Sequence, residues 1–348
     1  MKKLNTVIAT HDGSFHADDT MAIAILARVF NDLNLSRVIR TRRPELLAEA
    51  DLRVDVGGRY DPLTEDFDHH QVDDVSRLCR AGGKAEFAIT DSDTGEPQRF
   101  AIPLSCSRIP YAACGLVWRT YGGPLLAARQ LGESYQLDGL NHGGPARLAA
   151  LHRAIDDRLI AAIDAADCGL ARPESNIPTF SLSYAVSLMN RNPMIETDNT
   201  SQREAFERAV RLCGDVLDRV IISELASQQA VRLVDHAIHR RSGSRVLVLD
   251  KGCNWQQAFF ANPDNAQFLY VVYPQDGRYM VQCVPDRPGG FGKRKPLPAS
   301  WAGLRDDEFR TLTGVEEALF CHPNLFICGA WTYSAAMRLA SRAIEATK

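Results

Sequence analysis

Histidines and aspartates gather in four places in the first half of the chain, and imidazole and carboxylate are the side chains that ligate first-row divalent cations. THDGSFHADD carries His11, His16, Asp18 and Asp19; LRVDVGG carries Asp55; FDHHQ carries Asp68, His69 and His70; IDAADCG carries Asp164 and Asp167. Taken singly, most have an ordinary reading. His11 and His16 suit a loop, and Asp18 and Asp19 suit the first turn of a helix as caps. Asp55 is harder to dismiss, because a carboxylate inside an apolar strand is costly unless it is paired or metal-bound. Jointly, the four clusters point to a metal centre. Imidazoles and carboxylates without thiolates suit Mn2+ and, less selectively, Fe2+, Zn2+ or Co2+, whereas Mg2+ alone favours oxygen ligands. A shared carboxylate can hold two ions about 3.5–4 Å apart, the separation used in two-metal hydrolysis. The acids just before the histidine pair, Asp61, Glu65 and Asp66, read as solvated loop charges.

Such groups need elements that converge. TVIAT (6–10), RVIRT (37–41) and LRVDVGG (52–58) read as strands, with helices over DDTMAIAILARVF (18–30) and ELLAEA (45–50) between them. The crowding of Ala, Ile and Leu in the first helix predicts burial on most of its faces. Alternating strand and helix predicts an α/β fold with a mostly parallel sheet. In an open parallel sheet, loops at the carboxyl ends of neighbouring strands meet in one crevice. Residues 72–108 read as an extended insert or mobile hairpin. Helical pattern returns over 111–122 and from about 145 to 166, and a long helical region covers about 198–240. Strands are predicted at 245–250, 268–274, 278–285 and 325–331, followed by a final helix in YSAAMRLASRAIEA. The resulting division is a metal-binding catalytic domain over 1–200, a helical connector over 201–240 and a smaller mixed α/β domain over 241–348.

Composition narrows the class. At 348 residues, 45% hydrophobic and 24% charged, the chain is long enough for about two domains with real cores. No apolar run approaches the roughly 20 residues of a membrane span, and the start reads as strand with no signal peptide. Nine scattered cysteines without a CxxC pair suit reduced thiols in the cytoplasm and argue against a cysteine-built zinc site. A net charge of −3 gives no global nucleic-acid signature, though a local basic groove remains compatible with it. Arginines outnumber lysines 33 to 7, which reads mainly as a compositional habit of the source. No P-loop and no nucleophile elbow are present.

The ordered motifs HDGSFHADD, VDVGGRYDP, FDHHQ and IDAADCG resemble the DHH phosphoesterase superfamily, and within it the Myg (melanocyte-proliferating-gene) exonuclease family. The similarity runs nearly end to end, since KPLPASWAGLRDDE and FICGAWT resemble that family's C-terminal part. It implies a DHH phosphoesterase-like α/β fold with two divalent ions, Mn2+ foremost. By position, His11, His16 and Asp55 would hold one ion. Asp18, Asp55, His69 and Asp167 would hold the other, with Asp55 bridging; Asp164 competes with Asp167. His16 stands where many DHH enzymes carry Asp. His70 would face the substrate phosphate, and Asp68 would orient a neighbouring histidine. The reaction implied is water attack on a phosphodiester, as 3′→5′ trimming of RNA.

Substrate contacts are expected from the C-terminal domain. Arg287, Lys293, Arg294 and Lys295 in DRPGGFGKRKPLP suit phosphate, and Gly329 lies in the segment resembling the family's substrate strand. Trp331 could stack on a base, although a buried strand end is the commoner setting; Trp255 and Trp301 invite the same reading. Competing functions are hydrolysis of short oligonucleotides, dinucleotides or pyrophosphate, and a metal-stabilised RNA-binding protein without turnover. The expected partner is RNA or an oligonucleotide, with no membrane; homo-oligomerisation stays open.

Overall fold

The computed structural model describes residues 6–30, 34–70, 84–90, 97–103, 109–127, 144–170, 179–196, 201–241 and 243–346. The chain divides into two compact units, Met1–Glu224 and Leu225–Lys348.

In the first unit, β1 (Ile8–Thr10) leads into α1 (Ala17–Val29), then β2 (Val38–Arg40), α2 (Pro44–Ala48), β3 (Leu52–Val54), β4 (Tyr60–Asp61) and β5 (Asp66–Phe67). They form one sheet in the order β2-β1-β3-β5-β4. The first four in that order run parallel and β4 is antiparallel to β5. Ile8, Ala9, Leu52, Val54 and Phe67 are fully buried, as the central strands of a covered parallel sheet should be. Helix α1 is apolar around its circumference, with Met21 through Leu26 all buried.

Two of the acids upstream of the histidine pair depart from expectation. Asp66 is buried in β5, with its carboxylate on the Arg53 guanidinium and accepting from Thr64 Oγ1 at 2.6 Å. Glu65 accepts from the Tyr121 hydroxyl. Asp61 builds its own turn, accepting from Leu63 N at 2.9 Å. Asp66 and Glu65 are thus structural groups, while Asp61 stays solvent-facing in its turn. The cause is a two-residue strand pairing, too short to leave a periodic signal.

Within residues 72–108, β6 (Lys84–Thr90) and β7 (Pro97–Pro103) pair as an antiparallel ribbon, and the remainder lies outside the described residues. Helix α3 (Ala113–Ala127) packs on α1. α4 (Gly144–Ile155) continues through a π-helical turn, Asp156–Ile160, into α5 (Ala161–Asp167), and α6 (Leu182–Ser187) is short. α7 (Gln202–Arg240) is one helix of 39 residues running through the division between the units.

The second unit holds β8 (Val246–Val248), α8 (Trp255–Ala261), β9 (Tyr270–Gln275), β10 (Arg278–Cys283), α9 (Asp306–Thr313), β11 (Ala318–Cys321), β12 (Ile327–Ala330) and α10 (Tyr333–Glu345). Its mixed sheet runs β11-β12-β10-β9-β8. β11 is an addition to the strands predicted above. Among the described residues no helix is long and apolar enough to cross a membrane.

Candidate metal centre

Strand register explains why distant motifs meet. Arg40, Thr10, Val54 and Phe67 stand side by side in the last row of the sheet, from β2 across β1 and β3 to β5. The chain leaves that row at His11, Asp55 and Asp68, so three of the four polar motifs emerge next to one another at the carboxyl edge. Asp55 leaves it with a φ of 55°, and Gly57 and Gly58 follow at 104° and 67°. A non-glycine residue in the left-handed region is uncommon and marks local strain that the surroundings must hold.

Asp55 lies between two imidazoles. Its Oδ2 is 3.4 Å from His11 Nε2 and its Oδ1 is 3.4 Å from His69 Nε2. His11 Nδ1 donates to Asp12 O at 2.9 Å, which fixes the ring and turns Nε2 into the cluster. His69 Nε2 is also 3.2 Å from Asp167 Oδ2 and 3.9 Å from Asp18 Oδ2. His16 is exposed, with its ring 5.6 Å from that of His11. Ligand-capable atoms of His11, His16 and Asp55 lie within 4.8 Å of one another, as do those of Asp18, His69 and Asp167 and those of Asp55, His69 and His70. His70 is largely exposed; its Nδ1 donates to Asp68 Oδ1 at 2.8 Å, and Asp68 Oδ2 accepts from Gly58 N at 2.6 Å.

Asp18 and Asp164 also have structural duties. Asp18 accepts from Ala113 N at 3.0 Å and Cys114 N at 2.6 Å, and Asp164 accepts from Gly115 N at 3.1 Å. These are the first amides of α3. Asp164 is therefore at the start of that helix, whereas Asp167 faces His69.

Asp19 was read from the sequence as a cap, and it does accept from His16 N at 2.8 Å and Thr20 N at 2.9 Å through Oδ1. Its other oxygen lies 3.4 Å from His11 Nε2, which the sequence reading missed. The signal available was three successive polar residues, Asp18, Asp19 and Thr20, opening a helix that is buried on all faces.

The cluster is electrostatically incomplete. His11 Nε2, His69 Nε2, Asp55 Oδ1 and Asp19 Oδ2 are buried without a hydrogen-bond partner among the described residues. An unpaired buried polar atom costs about 1–3 kcal/mol, so a set of them facing one another suits a cation that would satisfy all at once. Burial pushes the Asp19 carboxyl up to about 7, with His11 opposing and Asp55 adding to the rise. Burial and then the Asp55, Asp167 and Asp164 carboxylates push Asp18 well above the usual range. Burial also opposes ionisation of Asp55, but the facing His11 and His69 rings outweigh it and hold that carboxyl below the usual range. For His11 and His69 burial disfavours the charged ring; the facing carboxylates win, and both are raised.

The basic loop after β10 behaves differently. Arg294 Nη1 donates to Asn265 O at 2.7 Å and Phe268 O at 3.1 Å, and its guanidinium lies 5.3 Å from the Phe259 ring centre. Lys295 Nζ donates to Ile344 O at 2.6 Å and Ala346 O at 3.0 Å, at the end of α10. Both expected phosphate contacts are thus bound into the fold. Gly329 is buried in β12, where a Cβ would come within 2.8 Å of the Phe320 ring; packing explains it, and it offers no surface to substrate. Arg287 is exposed and Lys293 half-buried beside Pro285. Trp331 is exposed against the commoner reading, while Trp255 and Trp301 are core.

Residues 7–344 match the MYG1 exonuclease family, described as an uncharacterised protein family (UPF0160). MYG1 exonuclease of Homo sapiens is 29% identical over 96% of this chain and 84% of its own length. The Bos taurus MYG1 exonuclease is 30% identical over 96% and 83%. The MYG1 protein of Schizosaccharomyces pombe is 28% identical over 97% of both chains. Among solved structures, RecJ from Thermus thermophilus in complex with Mg2+ aligns over 99% of this chain and 50% of its own, at 11% identity and a TM-score of 0.24, too loose a match for any residue here to be read from it. With nearly every residue from the first strand to the last helix inside the match, the chain belongs to the MYG1 exonuclease family.

Proposed function

We propose that this protein is a divalent-metal-dependent phosphodiesterase that trims RNA from the 3′ end. The observation that carries this reading is Asp55, which turns one oxygen toward His11 and the other toward His69 amid buried atoms with no hydrogen-bond partner among the described residues. The relatives named exonuclease support the reaction class; RNA and polarity rest on the motif resemblance. His11, His16 and Asp55 are the candidate ligands of one ion, and Asp18, Asp55, His69 and Asp167 of the other, with Mn2+ favoured by the mixed nitrogen and oxygen donors. Two such ions, when bound, would lower the pKa of a water and offset the charge on phosphate.

The remaining residues position and recognise. Asp68 holds the His70 ring through Nδ1, so that Nε2 of this exposed ring is the atom presented to a substrate phosphate. Asp19 ties His16 N to the start of α1 and so sets the loop that carries both first-motif histidines. Of the basic loop, Arg287 and Lys293 are the side chains left to contact phosphate. The seven described cysteines are free thiols, which accords with a reducing, cytoplasmic setting.

The test is to strip the protein of metal, restore Mn2+, Mg2+ or Zn2+ singly, and supply end-labelled RNA, DNA, a dinucleotide and pyrophosphate. Mn2+-dependent shortening of RNA from its 3′ end is the expected result. Phosphate release from pyrophosphate alone, or no turnover with any ion, would overturn the reading.

A further inference from the structure

The row that delivers His11 and Asp55 begins with Arg40, and beyond it the first unit holds a cavity of about 760 Å3. Its walls include Arg40, Arg191 and Arg203, and its floor is the loop Asp12–Ser14 that follows His11. The recess is open to solvent and roomier than a lone phosphate needs.

We propose that this recess binds a terminal phosphate of an oligonucleotide, together with part of its nucleoside, beside the metal centre. The substrate named here rests on the phosphodiesterase reading; the affinity for phosphate does not. Three guanidiniums and one carboxylate, Asp12, line the recess; Asp12 is paired with Arg42 and Arg203 with Glu207, which leaves Arg40 and Arg191 in excess. The wall is therefore net positive. The guanidiniums are also held in place, as anion recognition by planar forks requires. Arg203, with Nη1 on Val38 O at 3.1 Å, Nη2 on Leu35 O at 2.5 Å and Nε on Glu207 at 3.0 Å, is scaffold that walls the recess and leaves recognition to Arg40 and Arg191. Arg191 donates to Glu196 O at 2.9 Å. Arg40 donates to Gly13 O at 2.7 Å and lies over the Phe206 ring at 4.8 Å, while its Nε is buried with no hydrogen-bond partner among the described residues. A buried guanidinium N–H without an acceptor, in a recess with excess positive charge, calls for an anion. The position is also the one where open parallel sheets place ligands, at the carboxyl ends of their strands.

The experiment uses the full chain, stripped of metal and kept in chelator, so that binding is read without hydrolysis. Probes are inorganic phosphate and fluorescent dinucleotides bearing a 5′-phosphate, a 3′-phosphate or neither. A terminal phosphate is expected to tighten binding by about tenfold or more, with inorganic phosphate competing. Arg191→Gln and Arg40→Met, the latter keeping an apolar stem against Phe206, should each abolish that preference; circular dichroism checks their fold, and Arg191→Gln decides if Arg40→Met does not fold. Equal binding of phosphorylated and unphosphorylated probes, or an undiminished preference in folded variants, overturns the proposal. If the wild-type protein shows the preference yet hydrolyses no RNA with any ion, the catalytic reading fails while the recess stands. If it trims RNA without the preference, the recess alone fails.

Discussion

At the carboxyl edge of the first sheet, His11, His69, Asp55 and Asp19 each bury an atom that meets no hydrogen-bond partner among the described residues, whereas in the loop after β10 the charged groups of Arg294 and Lys295 close on backbone carbonyls. Both regions drew notice as sequence, each a tight cluster of charge beside glycine. The difference lies in satisfaction. A buried charge whose partners are all supplied by the fold is part of the scaffold, while one that lacks them is stable only with something added.

Four measurements would break or sharpen that contrast. The largest effect belongs to the shared carboxylate. Asp55→Asn, which tolerates the left-handed backbone, and His69→Ala should each lower Mn2+-dependent RNA hydrolysis by on the order of a thousandfold with far-UV circular dichroism unchanged; full activity in both would remove the metal centre from the account. Next comes Asp68→Asn, which keeps the shape but weakens the hold on His70. The expected loss is about 10–100-fold in turnover, the range for groups that orient an active side chain, and a larger deficit would mean that Asp68 acts directly.

The third concerns pH. In the ion-free protein the facing carboxylates outweigh burial and favour the protonated rings of His11 and His69, raising both above the ordinary imidazole value. The stability they lend is complete below the free-imidazole value of 6.5 and is lost as pH rises through their higher folded values. A cation must displace those protons, so its affinity should rise with pH, by about tenfold per unit for each proton released. Titration calorimetry in two buffers of different ionisation enthalpy counts the protons, and a pH-independent affinity with no release would contradict the assignment. The smallest effect is in the second unit: Arg294→Met should cost about 1–3 kcal/mol of stability through the lost charged hydrogen bonds, read as a lower Tm, without changing RNA binding. Weakened RNA binding in a stably folded variant would return that arginine to the substrate surface.

The strands carrying the site were legible because β-branched runs such as TVIAT and RVIRT are bounded by polar residues, and the parallel arrangement followed from their alternation with helices. That His11, Asp55 and the DHH motif would emerge near one edge was legible for the same reason. Which strand flanks β1 was not, since register and order are settled by packing; Arg40 therefore stayed hidden among 33 arginines although it shares a row with Thr10. Asp66 was misread because its partner Arg53 lies on the adjacent strand, 13 residues earlier. Arg294 and Lys295 were misread for a related reason, since their acceptors are carbonyls from other segments and carbonyls have no identity in a sequence.

The amides at the start of α3 have one further consequence. They present the positive end of a helix macrodipole, about half an elementary charge, to Asp18 and Asp164. That compensation is covalently part of the chain and cannot be chelated away. Two of the most deeply buried acids are tethered whether or not ions are near, unlike the ligands of small zinc modules, which scatter when the metal leaves. Asp18, a candidate ligand, is thus positioned by the fold itself, independently of any ion.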